Sequence, residues 1–392
     1  MRNTELKTQI KEFAVSEGAV LVGVAPVETY HEYYAGVEGR MKETGATLID
    51  FMVSADDTTF FERLSCARNT LPTAKTIILL AVYGYDEVAV YRNTRKELRG
   101  KTARIYSYYP VVRQVAEKLT AFLQDMGYNA TQGQDVPLKY VFNSVGLGAY
   151  GKNGILITRD YGSYVALRDV ITDAPLEPDE FKRPLFCEDC DLCIKACPTG
   201  ALYAPYKVNP CLCINPINRR ENYIALEIRP KMQNWISGCD ICQEVCPANR
   251  HLVPREKDPR SGFDSKHHSS HRNLDGFEKS PRLLHLLGGE YPDIIRRNAA
   301  IALANMFCAL CSYQLPLVEA LMSPTHKHID EGQKEVIEAL KEQMGDIGEE
   351  LREYFCWAIK RGRLCGEAVK PCATALSTEK LSKNLDLQSK YH

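Results

Sequence analysis

The chain has 392 residues, and its 49 Lys and Arg against 50 Asp and Glu give a formal net charge of −1. A hydrophobic content of 45% at this length indicates two or three packed domains rather than disorder. The start, MRNTELKTQIKEF, has no apolar h-region, and the best apolar run, TIILLAVYGY, is too short for a bilayer. We therefore expect a cytoplasmic protein without a secretory signal or a membrane span.

The first part of the chain alternates helical and extended patterns. A charged amphipathic helix is predicted at 5–16, ending before Gly18, and buried strands are predicted at 19–27 and 76–85. A long helix follows at 109–127, with its apolar residues on one face.

Residues 154–172 complete this first region. They form two β-rich runs about a turn at 159–162, which predicts a β-hairpin. The alternation of elements is typical of an α/β domain, which we assign to residues 1–180.

The fifteen cysteines argue for metal or redox chemistry, because a cytosolic compartment keeps thiols reduced. Twelve residues contain Cys-x2-Cys-x2-Cys-x3-Cys-Pro, beginning at Cys187. Zinc sites usually take two separated pairs, whereas this spacing is the bacterial ferredoxin run, whose fourth cysteine binds a second 4Fe-4S cluster. A complementary run, Cys-x2-Cys-x3-Cys-Pro, begins at Cys239, and "PCLCINP" lies between the two runs.

Eight ligands for two clusters can be assigned by this crossover logic. The first set is Cys187, Cys190, Cys193 and Cys246. The second set is Cys197, Cys239, Cys242 and one of Cys211 or Cys213. These residues define a double 4Fe-4S, ferredoxin-like domain at 181–250.

The chain after residue 250 differs in composition and periodicity from the part before it. Residues 251–280 are polar, rich in Pro and Ser and without periodicity, which predicts a linker or surface loop. Residues 281–375 contain amphipathic helices with short loops, as in a helical-repeat solenoid. The final segment, 376–392, is polar and is expected to form a tail.

The order of these domains resembles the corrinoid iron–sulfur reductases, a group that includes epoxyqueuosine reductases and reductive dehalogenases. "CIKACPTGALYAPYKVNPCLCI" and "EIRPKMQNWISGCDICQEVCPANR" are similar to the epoxyqueuosine reductase pattern, as are "LVGVAP" and "IIRRNAAIALAN". The resemblance implies an α+β protein with an α/β cobalamin-binding domain, the double-cluster domain and a C-terminal HEAT-like repeat. It also favours Cys213 over Cys211 as the eighth ligand.

The segment "GLGAYGKNG" occurs in similar form in both subfamilies, whereas "VITDAPLEPD" leans toward the dehalogenases. The resemblance places this segment over cobalamin. Gly146, Gly148 and Gly151 would then let the backbone approach the corrin, and Lys152 and Asn153 would donate hydrogen bonds to its edges. A turn between a helix and a strand explains Gly148 and Gly151 about as well.

The expected proton donor differs from the family pattern. Epoxyqueuosine reductases carry Asp-x-x-Pro before the glycine loop, but "GQDVP" places Gln134 at that position and Asp135 next to it. Asp135 and Tyr109 are our candidate catalytic acids, and Lys139 is a third.

The resemblance implies a reductase that receives electrons from ferredoxin or flavodoxin through its clusters and cleaves a C–O or C–halogen bond at cobalamin. Three functions remain open: an epoxyqueuosine reductase-like enzyme acting on tRNA or a smaller substrate, a cytosolic dehalogenase-like enzyme, and a two-cluster electron carrier without cobalamin. Residues 251–392 contain twenty Lys or Arg and twenty Asp or Glu, so this region is not broadly basic, as a tRNA-binding surface would be.

Overall fold

The computed structural model describes residues 3–46, 66–85, 98–133, 136–182, 184, 186–219, 223–254, 282–288, 291–318, 338–343 and 348–363. The main described helices are α1 Asn3–Ser16, α2 His31–Thr44, α3 Tyr109–Asp125, α4 Leu138–Ser144, α5 Leu192–Ala196, α6 Ile214–Ile217, α7 Ile241–Glu244, α8 Asp293–Val318 and α9 Glu349–Arg363. The strands are β1 Leu21–Pro26, β2 Thr76–Tyr83, β3 Lys101–Thr102, β4 Ala130–Gln132, β5 Ala149–Tyr150, β6 Leu156–Ile157, β7 Val165–Thr172, β8 Leu202–Ala204, β9 Lys207–Val208 and β10 Trp235–Ser237.

The chain divides into two compact units built from non-contiguous segments. The first comprises Met1–Glu87, Arg104–Cys213 and Asp240–Asp264, and the second comprises Val88–Ala103, Ile214–Cys239 and Ser265–His392. The domain boundaries expected from the sequence are contiguous, so the units cut across the predicted cluster domain.

A four-stranded sheet organises the first unit, in the order β1-β2-β7-β4. All of its pairings are antiparallel, and β2 and β7 pair over their whole length, from Thr76 opposite Thr172 to Tyr83 opposite Val165. The alternating pattern of the sequence therefore produces a mixed α+β fold rather than the parallel sheet typical of α/β domains.

Strand β2 is buried at every position because helices cover both faces of the sheet. One face, through Ile78, Leu80 and Val82, packs against α1 and α3. The other face, through Ile77, Leu79 and Ala81, packs against α2 and α4. A continuous apolar run, rather than an alternating one, is what a strand covered on both sides requires.

The hairpin predicted at 154–172 is wrong in its pairing. The two β-rich runs are strands β6 and β7, but β6 pairs with β5, and β7 lies in the large sheet. The predicted turn is present as a bridge between Thr158 and Gly162, with Gly162 at φ +52. Periodicity identified the two strands, but it does not specify the strand with which each one pairs.

The second unit contains the two long helices α8 and α9, which pack against each other. Arg229 is fully buried there: its Nη2 lies 2.8 Å from Glu353 Oε1, and its guanidinium lies 4.1 Å from the ring of Tyr354. Asn298 Nδ2 donates to the carbonyls of Asn218 and Ile236, so the residues before Cys239 are tied to α8.

Some expectations lie outside the described residues. These are most of the predicted linker at 251–280, much of the predicted repeat at 281–375, and the tail at 376–392. Among the helices that the structure describes, none combines the length and apolar character needed to cross a membrane.

Candidate functional site

Four cysteines from the two runs surround one cavity of about 290 Å³ in the first unit. Its lining contains Cys187, Cys190, Cys193 and Cys246, the four residues of the first predicted ligand set. The lining is completed by Asn153, Ile157, Phe186, Pro247 and Ala248. Thiols are the donors that iron–sulfur clusters take, so the chemistry of the lining fits such a cluster.

Local backbone structure brings the first three thiols to this cavity. Cys187 has φ +66, a left-handed conformation that costs a residue with a Cβ roughly 1–2 kcal/mol. The short helix α5 then carries Cys193, and the backbone carbonyl of Asp191 accepts the N–H groups of Ile194 and Lys195 at its start. Burial raises the pKa of the Cys193 thiol, and the thiol of Cys187 beside it adds to that effect.

Cys246, the remote member of the set, is held by a buried polar network. Asn249 Nδ2 donates to Ser163 Oγ at 2.9 Å and to the carbonyl of Gln243 at 2.8 Å, while its Oδ1 accepts the N–H of Ser163. The N–H of Asn249 donates to the carbonyl of Cys246 itself. A Cβ on Gly162 would lie 2.1 Å from Asn249 Oδ1, so the close approach requires glycine there.

The network continues into a fully buried carboxylate, Asp240. Gln243 Nε2 donates to its Oδ1 at 2.8 Å, and the N–H of Arg104 donates to its Oδ2 at 2.9 Å. Burial raises the pKa of Asp240 to about 6, although the hydrogen bond and charge of Arg104 oppose this shift. Arg104 Nη1 also lies 3.3 Å from the hydroxyl of Tyr164, so this network links the second cysteine run to the sheet.

The second predicted ligand set is distributed along the chain around these elements. Cys197 follows α5 and lies 3.5 Å from Thr199 Oγ1, whereas Cys242 belongs to α7. Cys213 precedes α6 and lies close enough to Lys139 to interact electrostatically. Cys239 ends a segment of the second unit, and the set as a whole stays a prediction from spacing.

The glycines predicted to face cobalamin are packed against the protein itself. A Cβ on Gly146, which has φ +82, would lie 2.0 Å from the carbonyl oxygen of Phe181. On Gly148 it would lie 2.9 Å from the carbonyl oxygen of Ile157, and on Gly151 it would meet the side chain of Asn153 at 2.7 Å. These contacts favour a structural reason for all three glycines.

Lys152 and Asn153 form the tip of the β5–β6 hairpin and point toward the cluster loop. Lys152 Nζ donates to the carbonyl of Glu188 at 3.0 Å, between Cys187 and Cys190. Asn153 lines the cysteine cavity. These two contacts place both residues beside the cluster-binding loop, and their hydrogen bonds to the corrin stay a prediction.

The candidate acids occupy different environments. Tyr109 begins α3, is partly buried and packs against the core on the α1 and α3 face. Asp135 lies outside the described residues, but its flanking residues Gly133 and Val136 are both buried. Lys139 Nζ donates to the carbonyl of Gly154 at 2.9 Å.

Sequence reasoning missed the residues that support the ligands. Asn249 follows the Cys-Pro of the second run by two positions, and Gly162 lies in the predicted turn, yet no spacing rule connects them. Their pairing depends on the tertiary fold. A partly buried amide that satisfies two backbone groups has no periodic signal in a single sequence.

Comparison with known proteins first defines the class. Residues 186–249 match the family described as "4Fe-4S double cluster binding domain", which confirms the prediction of an iron–sulfur protein with two 4Fe-4S clusters.

Whole-chain relatives then define the family. The epoxyqueuosine reductase of Bacillus subtilis is 31% identical over 77% of this chain and 79% of its own length. That of Prochlorococcus marinus is 30% identical over 66% of this chain and 83% of its own length. A solved epoxyqueuosine reductase from Bacillus subtilis matches with a TM-score of 0.69 and 25% identity, covering 92% of this chain and all of that chain.

The chain belongs to the epoxyqueuosine reductase family. This confirms the resemblance found in the sequence and the prediction of an oxidoreductase, and it selects the first of the three functions considered. The cofactors that the resemblance implies, two 4Fe-4S clusters and cobalamin, are those of this family.

Proposed function

We propose that this protein reduces epoxyqueuosine in tRNA, using two 4Fe-4S clusters and cobalamin. Family membership over most of the chain carries the proposal. A relative with a TM-score of 0.67 and 25% identity has been solved with an epoxyqueuosine-modified tRNA stem loop, which supports tRNA as the substrate here. Ferredoxin or flavodoxin is the proposed electron donor, and the cytoplasm is the proposed location.

The cavity supports the proposed ligand assignment for one cluster. Four thiols around a compact space, three of them from a single local run, are the donor set that a 4Fe-4S cluster takes. We assign Cys187, Cys190, Cys193 and Cys246 to this cluster. Cys197, Cys213, Cys239 and Cys242 are assigned to the other on the basis of spacing and family resemblance.

When bound, cobalamin supplies the reductive cobalt chemistry, and the protein supplies orientation and protons. Cleavage of a C–O bond places negative charge on the oxygen, which an acid at hydrogen-bond distance neutralises. Asp135 is the first proposed donor, because it lies next to Gln134, which occupies the position of the family's Asp-x-x-Pro acid. Tyr109 is the second, as a partly buried residue at the beginning of α3.

The packing of α8 against α9 supports our proposal that the C-terminal region is a HEAT-like helical repeat. Its balanced charge, twenty Lys or Arg against twenty Asp or Glu in 251–392, predicts that tRNA contacts there are confined to a local patch. The same balance favours a second candidate, reduction of a smaller epoxide substrate.

The test begins with protein purified anaerobically in the presence of hydroxocobalamin. We expect about eight irons per chain and bound corrin. With a chemical reductant, the preparation should convert epoxyqueuosine to queuosine in tRNA, detected by mass analysis of digested nucleosides. Iron without corrin affinity would leave only an electron carrier, and conversion of the free nucleoside but not the tRNA would identify the smaller substrate.

The variants D135N and Y109F separate the proton donors. Loss of turnover in only one of them, with iron and corrin contents unchanged, identifies the donor. Full activity in both variants would exclude both proposed donors.

A further inference from the structure

The tip of the β5–β6 hairpin places one amide side chain in the wall of the cysteine cavity. The hairpin loop is closed by the N–H of Gly151 donating to the carbonyl of Ile155 and by the N–H of Gly154 donating to the carbonyl of Gly151, both at 2.8 Å. Asn153 lies within this loop and is 5% exposed. It lines the same cavity as the four thiols of the first ligand set.

The orientation of the Asn153 amide follows from its own hydrogen bond. Its Oδ1 accepts the N–H of Ile155 at 3.1 Å, as in an Asx-type turn. An oxygen that accepts from the backbone fixes which end of the amide is the NH₂ group. The two N–H bonds of Nδ2 are therefore the polar groups that Asn153 can offer to the cavity.

A second contact fixes the hairpin tip relative to the thiols. Lys152 Nζ donates to the carbonyl of Glu188, the residue after Cys187, at 3.0 Å. The carbonyl of Lys152 accepts the N–H of Tyr206 at 2.9 Å, so the tip is held from both sides.

Hydrogen bonds to cluster and cysteine sulfurs are one of the factors that set the reduction potential of an iron–sulfur cluster. The reduced cluster carries one more negative charge than the oxidised one, so an N–H donor stabilises it more. A donor at this position therefore raises the potential.

We propose that Asn153 is a positioning residue for the first cluster: its Nδ2 donates to a sulfur in the Cys187, Cys190, Cys193 and Cys246 cavity and raises the reduction potential of that cluster. The inference rests on the proposed ligand assignment. It is an alternative to the corrin contact expected for Asn153 from the family resemblance.

The test compares N153D with the wild-type holoprotein in a redox titration followed by electron paramagnetic resonance. Aspartate keeps the oxygen that accepts from Ile155, removes both N–H donors and adds negative charge. We expect one of the two cluster waves to move to lower potential, with the ratio of reduced to oxidised cluster falling about tenfold at fixed potential. For a one-electron couple this corresponds to about 59 mV. N153A should move the same wave in the same direction by less.

Three controls make the result decisive. Q9E introduces the same chemical change at a partly exposed residue of α1 that is not among the cavity-lining residues, and both waves should keep their wild-type potentials. Iron content and cobalamin affinity are measured for every variant. Wild-type protein without iron would refute the cluster assignment itself.

If N153D binds a full complement of iron and both potentials are unchanged, the inference is wrong. If the potentials are unchanged and cobalamin affinity falls, Asn153 belongs to the corrin site, as the resemblance first implied. If N153A and N153D both lose iron without a shift in the remaining wave, Asn153 only packs the hairpin, and the inference is again wrong.

Discussion

The cysteine cavity and the glycine segment at residues 146–151 both lie in the first unit, but they differ in whether the space beside them is filled by the protein. Four cysteines line a cavity of about 290 Å³. At the three glycines of this segment, the space that a Cβ would take is occupied by the backbone at Phe181 and Ile157 and by the side chain of Asn153. One region keeps room for a ligand, while the other uses its glycines to close the fold.

A glycine near a predicted cofactor site can therefore have either of two structural reasons. A glycine allows close approach by a ligand or by the protein's own backbone, and the residue alone does not say which. Cysteines at ferredoxin spacing carry metal-donor atoms, so they indicate a ligand site more specifically than glycines do.

The first prediction concerns the cysteine ligands of the second cluster. C213S should remove that cluster and lower the iron content from about eight to about four per chain, because serine is a poor ligand for iron–sulfur clusters. C211S is the matched control, and it should retain all the iron. Iron analysis with absorption spectra checks both variants, and the opposite ranking would make Cys211 the ligand.

The second prediction concerns the packing of Gly146 against the backbone. G146A places a Cβ 2.0 Å from the Phe181 carbonyl oxygen on a residue with φ +82. It should lower the free energy of unfolding by about 3 kcal/mol, combining left-handed strain with overpacking.

G127A is its control, since Gly127 has φ +86 but open space around the added Cβ. It should cost only about 1 kcal/mol. Urea denaturation of the cofactor-free proteins measures both. Unchanged stability in G146A, together with weaker cobalamin binding, would mean that this glycine serves the corrin after all.

The third prediction tests the support of the remote ligand. N249A removes the side-chain hydrogen bonds to Ser163 and to the carbonyl of Gln243 that hold the second run, and it should cost about 2 kcal/mol. The signal of the first cluster should decrease while that of the second persists. Q9A, at a partly exposed amide of α1, should stay within about 0.5 kcal/mol of wild type. Equal retention of both clusters in N249A would show that Cys246 needs no such support.

The smallest effect concerns Asp179, which binds Lys7 at 2.6 Å, Lys11 at 2.7 Å and the N–H of Val24 at 2.8 Å. Burial opposes ionisation, but the hydrogen bonds from Lys11 and Lys7 outweigh it and lower the pKa of Asp179. D179N should therefore cost about 1 kcal/mol at neutral pH, a value kept small because the lysines are partly exposed.

The pH dependence follows from the sign of this shift. A carboxyl whose pKa is lower in the folded state contributes its stability above the unfolded value of about 3.9 and loses it as the pH falls through the folded pKa. Unfolding midpoints of wild type and D179N should differ by a constant amount between pH 6 and pH 8, and the gap should narrow only near pH 4 and below. A gap that narrows already at pH 6 would assign the effect to another group.

The parts of this molecule that could be predicted from the sequence are those with a local signal. The cysteine runs, α1, α3, β1 and β2 are each encoded by spacing or periodicity within a short stretch. The partner of β6, the place of Asn153 and the anchoring of Asn249 depend on residues far apart in the chain. Phe181 packs on Gly146, and Ser163 meets Asn249, only after the whole first unit has folded.

The position of Cys246, more than fifty residues after Cys193, has a consequence for the order in which the protein matures. During synthesis three thiols of the cavity emerge together, but the fourth becomes available only when the second run has left the ribosome. Under the proposed ligand assignment, binding of a fully ligated cluster in this cavity therefore follows translation of that run. Once in place, the cluster ties together two distant points of the chain and restricts the unfolded ensemble, as a cross-link over a long loop does.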